Sequence, residues 1–203
     1  MTVGKRRAGA LALALALAAY LWSAWPGVAA ADEPPDCATG APRARSVVDA
    51  AGRTVVLPER IDRIATVGSV PVINGYLFAL GAGGKIVNGL PPRFTRSDRW
   101  RLQSAIAPYL VDRPVLQGQT SSEVNPETLV ALAPDLVITM DLLRTRTLET
   151  ARIPVLYIAW RNASDIDTNM RILGRALDCM PRADDYLRYF DATMRRVRQT
   201  LEN

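Results

Sequence analysis

From Ile61 to Asp178 the sequence alternates short apolar runs with longer amphipathic ones, and few folds accept that alternation. The short runs predict strands over Ile64–Val67, Lys85–Val87, Pro114–Leu116, Asp135–Thr139 and Pro154–Ile158. The spacing between them predicts helices near Val70–Leu80, Arg96–Ala107, Pro126–Ala133, Leu142–Ala151 and Ser164–Asp178. Strands that each feed a helix and return build a parallel sheet with covering helices, so the fold class is α/β. Upstream, Arg45–Val48 and Thr54–Leu57 flank the Gly-containing turn Asp49–Arg53 and predict an antiparallel β-hairpin ended by Pro58. Asn125-Pro126-Glu127 has the chemistry of a helix start, with a cap, a proline and an acid, and Ser164-Asp165 offers a similar one. Downstream, Leu187, Phe190, Met194, Val197 and Leu201 recur at three and four over Arg182–Asn203, with arginines between them. That is a long α-helix of roughly 30 Å, its stripe expected to face a core that the sheet supplies only in part.

The first residues belong to targeting. Lys5, Arg6 and Arg7 precede an Ala/Leu-rich run from Ala8 to Trp25, then Pro26-Gly27 and Val28-Ala29-Ala30-Ala31. This predicts a signal peptide over residues 1–31, cleaved after Ala31 in preference to a retained anchor, because the run is short and Pro-Gly breaks it. The product is expected to be exported. Residues 32–44 read as a flexible leader rich in proline and small residues. The chain carries 25 Lys+Arg against 20 Asp+Glu, or +5; the signal holds three cations and no acid, leaving 22 against 20, or +2. The case for nucleic acid or an anionic membrane as partner then loses most of its force. Export also permits a bridge between the only two cysteines, Cys37 and Cys179. Two unpaired cysteines stand as the equal alternative, since sequence carries no geometry.

Histidine is absent. That removes imidazole acid–base catalysis, Ser–His and Cys–His nucleophiles, and capture of bare zinc or manganese through imidazoles. No other nucleophile meets a base, so the chain is not expected to be an enzyme, and no catalytic residue, resident metal or cofactor is assigned. Gly81-Ala82-Gly83-Gly84 follows a helix and precedes a strand, which is the order of a helix C-cap and the reverse of a dinucleotide loop.

Ligands of an open parallel sheet sit beyond the carboxyl ends of its strands. That rule selects Ser69 after the first strand, Arg93 and Phe94 after the second, and Gln119 after the third. It adds Asp141 after the fourth, with Trp160 and Arg161 after the fifth.

Several stretches resemble one family. Asp49-Ala-Ala-Gly52-Arg53-Thr-Val-Val-Leu-Pro58, then Arg60-Ile-Asp-Arg-Ile64, is similar to the N-terminal hairpin of the helical-backbone substrate-binding proteins of ABC importers. Asn125-Pro-Glu127-Thr-Leu-Val-Ala-Leu-Ala-Pro134-Asp135-Leu-Val-Ile138 resembles that family's helix–Pro-Asp–strand signature, and Arg182–Asn203 its helix joining two lobes. The resemblance implies a single Rossmann-like N-terminal α/β lobe over residues 45–181 and an interlobe helix over 182–203, with the second lobe absent. It implies a periplasmic protein that binds a ferric siderophore and hands it to an ABC permease in the inner membrane. Haem or cobalamin is the alternative cargo, and a single-lobe docking module without tight solute binding the alternative role. A ferric chelate favours Arg for charge-assisted bonds and aromatic walls for its apolar body, as in Arg93-Phe94 and Trp160-Arg161. The family docks on its permease through an acid in each lobe, and the matching position here is Glu127.

Overall fold

The computed structural model describes Cys37, residues 45–118 and residues 123–202, within the unit Pro35–Asn203. The signal peptide, the leader apart from Cys37, and Gln119 lie outside the described residues.

Strand β1 (Arg45–Val48) pairs antiparallel with β2 (Thr54–Leu57), Arg45 opposite Leu57. Their turn is organised by one buried carboxylate. Asp49 accepts the Ala51 and Arg53 N–H groups at 2.9 and 3.0 Å and pairs with the Arg53 guanidinium at 2.6 Å. Gly52 supplies the left-handed backbone the turn requires, at φ 78°. Arg53 then reaches the Val155 carbonyl at 3.2 Å, and Ala50 N–H donates to Tyr157 C=O at 3.1 Å, which fastens the hairpin to the sheet.

The sheet is parallel, in the order β3 (Ile64–Val67), β4 (Leu136–Thr139), β5 (Val155–Tyr157), with Ile64 beside Leu136 and Val137 beside Val155. Every residue of β3 and β4 is buried, as expected of strands covered on both faces. Successive side chains point to opposite sides and divide the core in two. Ile64, Leu136, Ile138 and Leu156 pack with α1 (Val70–Ala79), while Ala65, Val67, Val137 and Val155 meet a second cluster.

Two short helices follow α1, namely α2 (Pro92–Thr95) and α3 (Arg101–Ile106). Next come α4 (Pro126–Leu132) and α5 (Thr145–Glu149), whose Leu129, Leu132 and Leu148 fill the second cluster. The chain closes with α6 (Asp165–Ala176) and α7 (Met180–Leu201). Helices α6 and α7 approach closely at Gly174, where a Cβ would stand 2.8 Å from that of Ala183.

The hairpin, β3 and the α/β class agree with the sequence expectation, and four departures have local causes. Lys85–Val87 forms no strand. A 3-10 turn takes Gly83–Lys85, Ile86 makes a single bridge to Ile64, and the Asn88 side chain replaces further pairing. Pro114–Leu116 forms none either. Pro114 has no N–H to donate, and its carbonyl only accepts Gly89 N–H at 2.9 Å. The helix expected over Arg96–Ala107 is broken. Pro91-Pro92 starts α2 early, Ser97 is extended, and Trp100 turns back edge-on against Phe94, ring centroids 5.9 Å apart. Leu142–Ala151 likewise opens as a 3-10 turn over Leu142–Arg144 before α5.

Cys37 and Cys179 are joined by a disulfide, their Cα atoms 4.3 Å apart across 142 positions of sequence. Cys179 is buried at the N-cap of α7. The apolar stripe of α7 is covered only at its start. Ala183 and Leu187 are buried, Phe190 and Met194 half-buried, and Val197 and Leu201 are 46% and 81% exposed.

Candidate functional site

The carboxyl ends of β3 and β4 open onto a cleft of about 520 Å³. Ser69, Arg93, Phe94 and Asp141, four of the residues selected from sequence, line it together with Met140 and Leu142. Gly68 holds the floor. Its φ of +90° turns the chain out of β3, and both of its peptide groups are gripped. Its N–H donates to Gln117 Oε1 at 2.8 Å, and its carbonyl accepts Arg93 Nη2 at 3.0 Å. The Arg93 guanidinium also lies 4.6 Å from the centroid of the Phe94 ring, a cation–π contact. On the opposite wall Asp141 N–H donates to Thr139 Oγ1 at 3.0 Å, and the Asp141 carboxylate accepts Arg144 Nε at 2.8 Å. A planar cation on an aromatic face, beside the start of α1, suits an anionic ligand with an apolar body.

The other selected residues stand elsewhere. Trp160 and Arg161 lie past the end of β5, outside the residues lining the cleft, with Trp160 55% exposed. Arg161 Nη2 binds Asp165 Oδ1 at 2.7 Å, and Arg161 and Asn162 N–H both donate to Asp165 Oδ2. The first turn of α6 is thus secured by Asp165, while Ser164 makes no capping bond from its side chain. The Arg161 side-chain bond, reinforced by the Arg161 N–H, holds the Asp165 carboxyl down to about 2. A depressed folded-state value contributes stability above the ordinary 3.8 that is lost as pH falls through about 2. In Arg161→Ala the Asp165 titration midpoint, read from its carboxyl carbon resonance, rises toward the ordinary value. An unchanged midpoint would show that the backbone donors alone set it.

Glu127 is exposed in the first turn of α4 and lines a separate groove of about 670 Å³ with Val115, Gly118 and Glu123. Its helix starts as the sequence predicts, Asn125 Oδ1 accepting Thr128 N–H at 3.0 Å with Pro126 in the first turn.

Sequence reasoning selected Gln119 on the third loop, whereas the described residue that reaches the site is Gln117, buried and bound to Gly68. Asn88 and Met140 fall in the strand-end stretches but were not chosen as contacts, and Leu142 was passed over. The only available signal was membership of the same strand-end loops. Among the described residues no three His, Cys, Asp or Glu side chains converge as metal ligands, and no helix is long and apolar enough to cross a membrane.

A parallel-sheet lobe with its cleft at the strand carboxyl edge, ending in a long helix, defines an α/β binding lobe. Comparison with known proteins makes that specific. The family model for periplasmic binding proteins matches residues 97–203, and the chain belongs to that family. No curated protein matches the chain. A periplasmic solute binding protein from Veillonella parvula DSM 2008 superposes with a TM-score of 0.67 at 26% identity, over 77% of this chain and 48% of its own. An ABC-type Fe3+-hydroxamate transport system protein from Saccharomonospora viridis DSM 43017 gives 0.57 at 20%, over 78% and 57%. The heme binding protein HmuT gives 0.54 at 19%, over 75% and 46%. The last two likenesses concern the fold alone. The chain spans about half the length of these structures.

Proposed function

We propose that the chain is the solute-binding component of an ABC importer, exported to the periplasm by residues 1–31, and that its cargo is a ferric siderophore. The observation that carries this reading is Arg93, stacked on Phe94 and hydrogen-bonded to Gly68, in a cleft at the carboxyl edge of a parallel sheet. A siderophore already cages its iron in hydroxamate, catecholate or carboxylate oxygens. The protein then needs a cation to bond those oxygens and an apolar wall, not a metal ligand. Arg93 supplies the first, and Phe94, Met140 and Leu142 the second. Haem instead calls for an axial side chain, and of the residues lining this cleft Met140 alone is of a kind that ligates haem iron. Glu127, exposed at the start of α4, is the residue proposed to meet the permease.

Trp100 contacts Phe94 directly, so once Trp160→Phe removes the other tryptophan outside residues 1–31, its emission reports occupancy of the cleft. Titration with a ferric trihydroxamate, a ferric tricatecholate, haemin and cobalamin should quench fluorescence for one ferric-chelate class only. A flat response to both chelates, or saturation by haemin alone, would overturn the siderophore assignment.

A further inference from the structure

Where the sequence predicts a second strand, the structure has one asparagine. Asn88 is buried, and its Oδ1 accepts Thr66 N–H at 2.8 Å while its Nδ2 donates to Thr66 C=O at 3.1 Å. Those two bonds are the ones a neighbouring strand would make to β3, so the carboxamide takes the place of a peptide group. Thr66 Oγ1 also bonds Asn74 Oδ1 at 3.0 Å, tying the same point to α1, which begins just after Ser69.

The segment that follows has little freedom. Gly89 N–H is held by the Pro114 carbonyl, and a Cβ on Gly89 would stand 2.5 Å from Arg113 O and 2.8 Å from Leu110 O. Pro91 and Pro92 have fixed φ. Arg93 then returns to β3 through Gly68, two residues beyond Thr66. The arm therefore leaves β3 at Thr66 and rejoins it at Gly68, which closes a ring. Within that ring Asn88 supplies the buried anchor, and the Arg93–Gly68 bond is the half-exposed end.

We propose that Asn88 is a positioning residue: its carboxamide, bonded to both the N–H and the C=O of Thr66, fixes the Asn88–Pro92 arm and thereby holds the Arg93 guanidinium at the cleft. This deepens the siderophore reading and rests on it for the ligand, but the geometric part can be read without any ligand. The full chain is labelled with 15N-arginine, and the Arg93 side-chain Nε–H resonance is assigned by its loss in Arg93→Lys. In Asn88→Ala, and in Asn88→Leu, which keeps the branched shape without the hydrogen bonds, that resonance should shift and exchange faster with water. Leu187→Ala, which destabilises α7 far along the chain from this arm, should leave it in place. Affinity for whichever ferric chelate quenches the parent protein should weaken by about tenfold in both Asn88 variants, a change of about 1.4 kcal/mol, and stay unchanged in Leu187→Ala. An unmoved Arg93 resonance in a folded Asn88 variant, or parental chelate affinity there, overturns the proposal. If the parent binds no chelate, the siderophore reading fails while the resonance still decides the role of Asn88.

Discussion

Reducing the Cys37–Cys179 bridge lowers the melting temperature by about 5–15 °C. The bridge closes a loop of 142 positions, and restricting a chain that long in the unfolded state is worth about 5 kcal/mol in the loop-entropy account. Residual unfolded-state structure reduces that figure, so about 2–5 kcal/mol is expected. The folded side supports the same outcome. Cys179 is buried, caps α7, and donates its N–H to the Gly174 carbonyl at 2.7 Å, so freeing the bridge loosens the junction of α6 and α7. Circular-dichroism melts of the oxidised protein, the protein in dithiothreitol and Cys37→Ala/Cys179→Ala should place the last two together, well below the first. Coincident melts, with thiol titration showing both cysteines reduced, would remove the bridge from the stability account.

Replacing Arg93 by alanine weakens chelate binding about 10- to 100-fold, provided the ligand is the anionic chelate proposed. Charge-assisted hydrogen bonds contribute about 1.5–3 kcal/mol each, and in a cleft partly screened from water that contribution is retained. The cost to folding is expected to stay near 1 kcal/mol, because the lost contacts are one bond to the Gly68 carbonyl and a stack on Phe94 at a half-exposed site. Arg93→Lys should recover only part of the affinity, since an ammonium keeps the charge but not the planar fork or the stacking face. The measurement is the fluorescence titration followed by Trp100. Equal affinity in parent and Arg93→Ala would place the ligand elsewhere on the lobe.

The parts of this fold legible in the sequence are those where pattern and geometry are the same thing. Four β-branched or apolar residues at Ile64–Val67 become a strand because burial on both faces needs an uninterrupted apolar run. The hairpin is legible for a different reason, because Gly52 marks the one left-handed position between two β-branched runs. Asn125 and Pro126 similarly announce α4 through cap chemistry that needs no tertiary partner. What could not be read depends on single side chains doing the work of backbone. Asn88 ends the pairing beside β3, and no periodicity reports that a carboxamide will stand in for a peptide. The same limit divides the site. The strand-end rule brings Ser69 and Asp141 to one cleft because they follow β3 and β4, whereas Arg93 and Phe94 reach the same cleft on an arm that no strand precedes. It does not single out Gln117, whose side chain meets Gly68 through a contact that no periodicity reports. Nor does it show that Arg161 turns to Asp165, a contact set by the first turn of α6.

The position of the disulfide also fixes how the chain carries tension. Cys37 stands just before the hairpin, and Cys179 is the last residue before the long helix. Along the covalent chain, a pull between Cys37 and α7 therefore runs through two sulfur atoms and bypasses the sheet, the hairpin and the cleft. The 142 positions between the two sulfurs form a covalent side loop to that line, so the cleft is carried by packing against α7 and not by the backbone that joins the two cysteines.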